Sequence, residues 1–233
     1  MTIYLQLRDI LRSKIEDGEY LPGMAIPSEN DLAKAYGVNR MTVRISISHL
    51  VKEGLLKRVQ GKGVYVVGAK VERDLETLGG FTQTMKEKNI QPHTKVLTKL
   101  MRKAGEKYSL IFKVSPEDYI YYIKRICFGD GEAISLEEVF IPQYVVPKLE
   151  EIDLGVFSIY EIYNFYGIKI EKAYQTLDLT KLDQKDARTL GISSDLSVML
   201  FECTSFDDKN RVIEFARTYT RGDLCNFNVH FHR

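Results

Sequence analysis

Arg40, Met41, Thr42 and Arg44 form a short run of donors that follows Gly37-Val38-Asn39 directly. Guanidinium groups and a hydroxyl, placed on the outer side of a helix's first turn and a half, suit hydrogen bonding to base edges and phosphates in a DNA groove. Farther along, Gly61-Lys62-Gly63 sets one ammonium between two glycines. Glycines let backbone approach a duplex closely, and a lysine neutralises a phosphate. A second set of polar residues, Arg125 and Glu137, flanks an Asp130-Gly131 turn signal. If the hairpin loop has three residues, Arg125 lies opposite Glu137 on one sheet face; with two residues it lies opposite Leu136. The pair suits carboxylate binding, but nothing marks a nucleophile or an oriented base, so the chain is not expected to be an enzyme.

The donors near residue 40 need a scaffold. Ile3, Leu7, Ile10, Leu11 and Ile15 recur at helical spacing and predict a first helix with one apolar face, ending near Gly18. Pro22-Gly23 predicts a turn. Ser28 is placed to cap a second helix, with Asp31 in its first turn and Leu32, Ala33 and Tyr36 inward. Gly37 ends that helix with positive φ. Asn39 caps a third helix whose Val43, Ile47, Leu50 and Val51 face inward, leaving Arg40, Met41, Thr42 and Arg44 outward. Gly54 stops it, and Leu55–Val59 and Val64–Val67 predict two strands around the Gln60–Gly63 tip. Three helices followed by a hairpin wing make a winged helix-turn-helix head over residues 1–67.

Residues 68–74 are polar without periodicity and predict a linker, leaving a body over 75–233. Gly79-Gly80-Phe81-Thr82 precedes a short predicted helix, Gln83–Lys88, whose free N–H groups would attract an anion. Beyond it the body reads as strands of alternating polarity with a few helices. Tyr119–Phe128 and Ala133–Phe140 form one hairpin, and Val198–Phe206 and Val212–Thr220 a second. Ala173–Thr180 and a stretch around Phe227–Phe231 add strands. Ser158 and Glu161 make a capping box for a helix through Phe165, and Asp183–Leu190 is a capped helix stopped by Gly191. His230 and His232 share a strand face without a third ligand, so no metal site is expected.

Composition narrows the classes. Residues 1–70 hold 11 Lys/Arg and 7 Asp/Glu, a net +4, against 22 and 25, a net −3, in the rest of the 233 residues. A basic head on a mildly acidic body suits DNA at one end only. With 44% hydrophobic and only 6 Pro, the chain is globular rather than disordered. No apolar run approaches the roughly 20 residues a membrane span needs, and the N-terminus lacks a signal-peptide core. Cys127, Cys203 and Cys225 are odd in number and lack a CxxC pattern, which predicts reduced thiols in a cytoplasmic protein.

Within residues 1–67 the motif Pro27-Ser28-Glu29, Leu32, Gly37-Val38, Arg40, Thr42-Val43-Arg44, Leu50, Glu53-Gly54-Leu55 and Gly61-Lys62-Gly63 resembles the winged-helix head of GntR-family bacterial transcription regulators. The resemblance implies DNA contacts from Arg40, Thr42 and Arg44, with the Gly61 region in the minor groove. With Ser28, Asn39, Met41, Lys62 and Gly63, these are the expected DNA-binding residues. Asn30, Asn39, Ile45 and Ile47 depart from the common pattern and bear on the operator sequence.

The body resembles the UTRA ligand-binding domain of the HutC subgroup. The matching pieces run in order through Gly80-Phe81-Thr82, Arg125, Asp130-Gly131, Glu137, Ile141-Pro142, Ser158–Glu161, Tyr166-Gly167-Ile168, Leu190-Gly191-Ile192, Glu214 and Arg221-Gly222-Asp223. That resemblance implies an α+β chain whose second domain is a chorismate-lyase-like antiparallel sheet flanked by helices. It also implies a small effector, a sugar, sugar phosphate or related compound, held by Gly80, Phe81, Thr82, Arg125, Glu137, Ser158, Tyr160 and Glu214. Cys127 stands where many members carry a second arginine, and Thr220 where a tyrosine is usual, which points to a less anionic ligand. The expected function is a homodimeric repressor that binds a double-stranded operator under effector control, with no cofactor and no membrane. Rival readings are a lyase-like enzyme and an effector-independent DNA-binding dimer.

Overall fold

The computed structural model describes residues 2–67 and 91–225. The expected linker at 68–74, the Gly80–Thr82 anion site, the helix at 83–88, the strand around 227–231, and His230 and His232 all lie outside the described residues. The chain divides into two compact units: the N-terminal head together with Glu151–Ile168, and the large sheet with its remaining helices.

In the head, α1 (Ile3–Glu16), α2 (Glu29–Tyr36) and α3 (Arg40–Lys52) are followed by β1 (Leu56–Val59) and β2 (Gly63–Val66). Both predicted caps form: Ser28 accepts from the Asp31 N–H, and Asn39 accepts from the Thr42 N–H. Gly37 takes the left-handed conformation that ends α2, at φ 62°. Leu7, Leu11, Leu32, Val43, Ile47, Leu50, Leu56 and Val66 meet in one buried core, which fixes the pitch of α3 against the wing. Ile3 and Ile10 were expected on the apolar face of α1 but are 59% and 42% exposed. The inward row is Leu7, Leu11 and partly Ile15, four residues apart; Ile3 continues that spacing but is the first residue of the helix, and Ile10 lies beside the row rather than on it.

The second unit is a six-stranded antiparallel sheet ordered β3-β4-β5-β8-β7-β6. Its strands are β3 (Pro92–Lys103), β4 (Tyr119–Gly129), β5 (Glu132–Pro142), β6 (Ile170–Lys181), β7 (Ser197–Asp207) and β8 (Val212–Thr220). Two helices, α4 (Gly105–Phe112) and α6 (Gln184–Leu190), cover one face; α5 (Ile159–Phe165), with its capping box formed, belongs to the segment grouped with the head. Tyr108 and Phe112 of α4 pack on Phe140 and Phe215. Ala187 and Leu190 of α6 pack on Ile126 and Leu136. Lys124 donates to both Asp186 carboxylate oxygens at 2.6 and 2.7 Å, tying α6 to the middle of β4.

The β4–β5 register reconciles the two loop possibilities. The turn holds two residues, with Gly129 opposite Glu132, but the pairing slips so that Cys127 faces Ser135. The extra residue, Ile134, is a bulge, and it brings Arg125 opposite Glu137.

Candidate nucleic-acid interface and effector site

Ser28 and Asn39 are occupied as caps, and Asn39 Oδ1 also accepts from the Thr42 hydroxyl at 3.0 Å. Arg40, Met41 and Arg44 emerge exposed from the first turns of α3, with Thr42 half-buried between them. At the wing tip, Gly61 and Gly63 have φ of 73° and 124°, values that favour glycine. Lys62 is exposed there, 3.6 Å from Asp153 of the segment grouped with the head.

Glu29, noted in the sequence only as part of the Pro27-Ser28-Glu29 motif and not among the expected DNA-binding residues, organises this surface. The Glu29 carboxylate accepts from Arg40 Nε at 3.0 Å, from Arg44 Nε and Nη2 at 3.2–3.4 Å, and from Arg58 Nη1 at 3.0 Å. Three guanidiniums on one carboxylate leave a net charge of about +2 at the start of the predicted recognition helix, strengthened as an anion target by the helix's own N–H groups. Burial pushes the Glu29 carboxyl up, but the hydrogen bonds from Arg44, Arg40 and Arg58 outweigh it and hold it below the ordinary carboxylate range.

Side chains alternate along strands, so the sheet face away from α4 and α6 can be read off the register. It presents Arg125 and Cys127 from β4, Ser135 and Glu137 from β5, and Glu214 and Thr220 from β8. Arg125, Cys127, Ser135, Glu214 and Thr220 are all buried. A sheet face carrying this many buried polar groups is unlike a packing core, since each group costs free energy unless it finds a partner. Arg125 Nε donates to Glu137 Oε2. Burial alone would lower the Arg125 value, but Glu137, with Glu214 contributing, pushes it above that of a free guanidinium. Burial pushes the Cys127 thiol up to about 12, helped by Glu137 and opposed only in part by Arg125, so this cysteine is a neutral group. The Ser135 hydroxyl is buried opposite Cys127, whose thiol it helps to hold down, and it makes no other hydrogen bond among the described residues.

Residues 3–66 match the family of bacterial regulatory proteins called gntR, and residues 87–225 match the UTRA domain. The chain belongs to the GntR family and carries a UTRA domain. It is 31% identical to the HTH-type transcriptional repressor NagR of Bacillus subtilis, over 98% of this chain and 94% of that protein. It is 26% identical to the mannosyl-D-glycerate transport/metabolism system repressor MngR of Escherichia coli, over 97% of this chain and 95% of that protein. Among solved structures it resembles PhnF from Mycobacterium smegmatis, at 24% identity and TM-score 0.64, each chain 99% covered. YydK from Bacillus subtilis, a possible transcriptional regulator, shares the fold at 21% identity and TM-score 0.60 over the whole of both chains.

The predicted effector-site residues fall into three groups. Arg125, Cys127, Glu137, Glu214 and Thr220 share the polar face of the sheet. Ser158 and Tyr160 lie on the segment grouped with the head, where the Ser158 hydroxyl accepts from the Glu161 N–H at 3.2 Å and the Tyr160 ring stacks edge-on against Tyr163. Gly80, Phe81 and Thr82 lie outside the described residues. Sequence reasoning missed Ser135, whose only signal was its place opposite Cys127 once the bulge is known. In the GntR head it missed Arg58, which reaches Glu29 from 29 residues downstream. Among the described residues no group of three or more His, Cys, Asp or Glu is arranged to hold a metal ion, and no helix is long and apolar enough to cross a membrane.

Proposed function

We propose that this protein is a cytoplasmic, homodimeric transcriptional repressor whose grip on a double-stranded operator is set by a small effector bound in its UTRA domain. The observation that carries the DNA half is the arginine cluster at the start of α3, beside a glycine-rich wing tip. Phosphate contacts supply affinity, and Arg40, Thr42 and Arg44, with Ser28, Asn39, Met41 and Gly61–Gly63 around them, supply register and readout. Two heads suit two half-sites of a pseudo-palindrome. Self-association is supported by edge strand β6, where Leu177 and Leu179 are 59% and 70% exposed on one side of the strand.

The effector half rests on the buried polar face, which a polyhydroxylated ligand would satisfy. Two relatives support that class: MngR is named for mannosyl-D-glycerate, and a Shigella flexneri protein 27% identical over 97% of this chain and 93% of its own is named a probable fructoselysine utilization operon repressor. The one guanidinium on the described face is held by Glu137 and also faces Glu214, so its positive charge is already engaged by two acidic side chains. That balance favours a sugar, or an amine-bearing sugar derivative, over a phosphate dianion.

Two measurements test the reading. Arg44→Ala should weaken operator binding by about 1–3 kcal/mol in a gel shift; an unchanged footprint contradicts the assigned role. A thermal-shift panel of sugars, sugar phosphates and amino-acid derivatives should raise the melting point with at least one member. Tight binding of a phosphosugar that collapses on Arg125→Ala would overturn the charge argument, and turnover of chorismate would favour an enzyme.

A further inference from the structure

The Glu29 cluster is poorly explained as a stabilising device. Its arginines are 59%, 48% and 39% exposed at Arg40, Arg44 and Arg58, against 13% for Glu29. Exposed ion pairs contribute little to stability, and ordering three long side chains costs rotamer entropy. The atoms engaged are informative. Arg40 meets Glu29 through Nε alone, so its two Nη groups have no partner among the described residues. That terminal edge is the one that binds guanine O6 and N7 in a bidentate pair. Arg44 spends Nε and Nη2, and keeps Nη1. Arg58 spends both ends: Nη1 on Glu29, and Nη2 on the Arg44 carbonyl at 3.2 Å and the Ser48 hydroxyl at 3.3 Å.

We infer that Glu29 is a specificity-determining positioning residue for DNA recognition, and that Arg58 is its brace from the wing rather than a DNA contact. Glu29 tethers Arg40 and Arg44 by their inner edges and leaves the outer edge of Arg40 free to test a base pair. Arg58 links Glu29 of α2, the backbone and Ser48 of α3, and β1, so the tether has a fixed anchor. The Glu29 charge also opposes phosphates, which lowers affinity for every sequence alike and restores it only where base contacts compensate. The inference rests on the DNA-binding reading above.

The test uses the full chain, a duplex selected by the wild-type protein from a random-sequence pool, and a scrambled duplex of the same length and composition. For Glu29→Gln, which removes the charge at nearly constant shape, scrambled-duplex affinity should rise about threefold or more, with a salt slope steeper by roughly one phosphate equivalent. The ratio of selected to scrambled affinity should fall roughly tenfold. Glu29→Asp keeps the charge but shortens the tether; its scrambled-duplex affinity should stay within about twofold of wild type while the ratio still falls. Thermal melts of both variants establish that they fold. A wild-type ratio in Glu29→Gln, or parallel losses on both duplexes in either variant, overturns the inference. Failure of the wild-type protein to select any sequence instead defeats the DNA-binding reading itself.

Discussion

Replacing Arg125 with Met removes the guanidinium that faces two carboxylates on the buried side of the sheet. The Arg125 side chain is 9% exposed and that of Glu137 14%, so neither has bulk water to turn to once the other is gone. Breaking a buried pair by deleting one partner costs roughly 3–5 kcal/mol. The two partners are not equivalent, however. Arg125 also interacts with Glu214, so Glu137→Gln leaves the guanidinium facing a carboxylate. We therefore expect about 3 kcal/mol or more for Arg125→Met and about 1–2 kcal/mol for Glu137→Gln. The double variant, neutral at both positions, should cost clearly less than the two single changes combined. At about 2–4 °C per kcal/mol for a chain of this size, Arg125→Met lowers the sheet's melting midpoint by roughly 6–12 °C. Calorimetry at neutral pH, with urea denaturation followed by circular dichroism, reads both quantities for the sheet's own transition. If Arg125→Met proves no less stable than Glu137→Gln, or the effects simply add, the polar face is not a closed electrostatic unit.

Cys127, neutral and buried with a thiol pushed up to about 12, should resist alkylation at mildly alkaline pH in the native protein and react only on unfolding; mass spectrometry after a timed iodoacetamide pulse reads this, and rapid native labelling at Cys127 would contradict its burial. Glu29, held below the ordinary carboxylate value by its arginines against the upward push of burial, gives the head a small share of stability that is present above the unfolded value and lost as pH falls through the folded one. Urea midpoints of the head should therefore decline from about pH 5 to about pH 3, and Glu29→Gln should flatten that decline; an equal slope in both proteins refutes the assignment.

The head was legible wherever a local signal coincided with a structural need. Ser28, Asn39 and Gly37 each perform the capping role their types predict, and they place α2 and α3. Where the backbone does without such signals, the elements were invisible. Helix α4 has Ala104 at its N-cap, which offers no side-chain cap, and Lys113 at its C-cap in the left-handed region at φ 56°, where glycine would have announced a stop. Strand β3 lies at the sheet's edge with both faces partly polar, so its period-two pattern is weak. The Arg125–Glu137 pair was legible only as a conditional, because a single bulge at Ile134 decides the register and no residue type there demands one. The Glu29–Arg58 contact crosses from helix to wing, a tertiary relation that no local pattern encodes.

The linkage between DNA and effector sets a demand that neither site meets alone. A ligand satisfying the buried row around Ser135 and Glu137 will stabilise the UTRA domain whatever the heads do. It alters operator affinity only if it binds two states of the dimer unequally. Reciprocity then follows: an effector that weakens operator binding tenfold must itself bind tenfold more weakly to protein saturated with operator. Titration calorimetry of one effector into free and operator-saturated protein measures both arms of that cycle. Equal effector affinities in the two titrations would mean no coupling, leaving a DNA-binding dimer whose polar pocket regulates nothing. Unequal affinities that match the shift in operator binding would place the control in a shared conformational equilibrium rather than in competition for the arginine cluster, provided that the effector's binding survives Glu29→Gln unchanged.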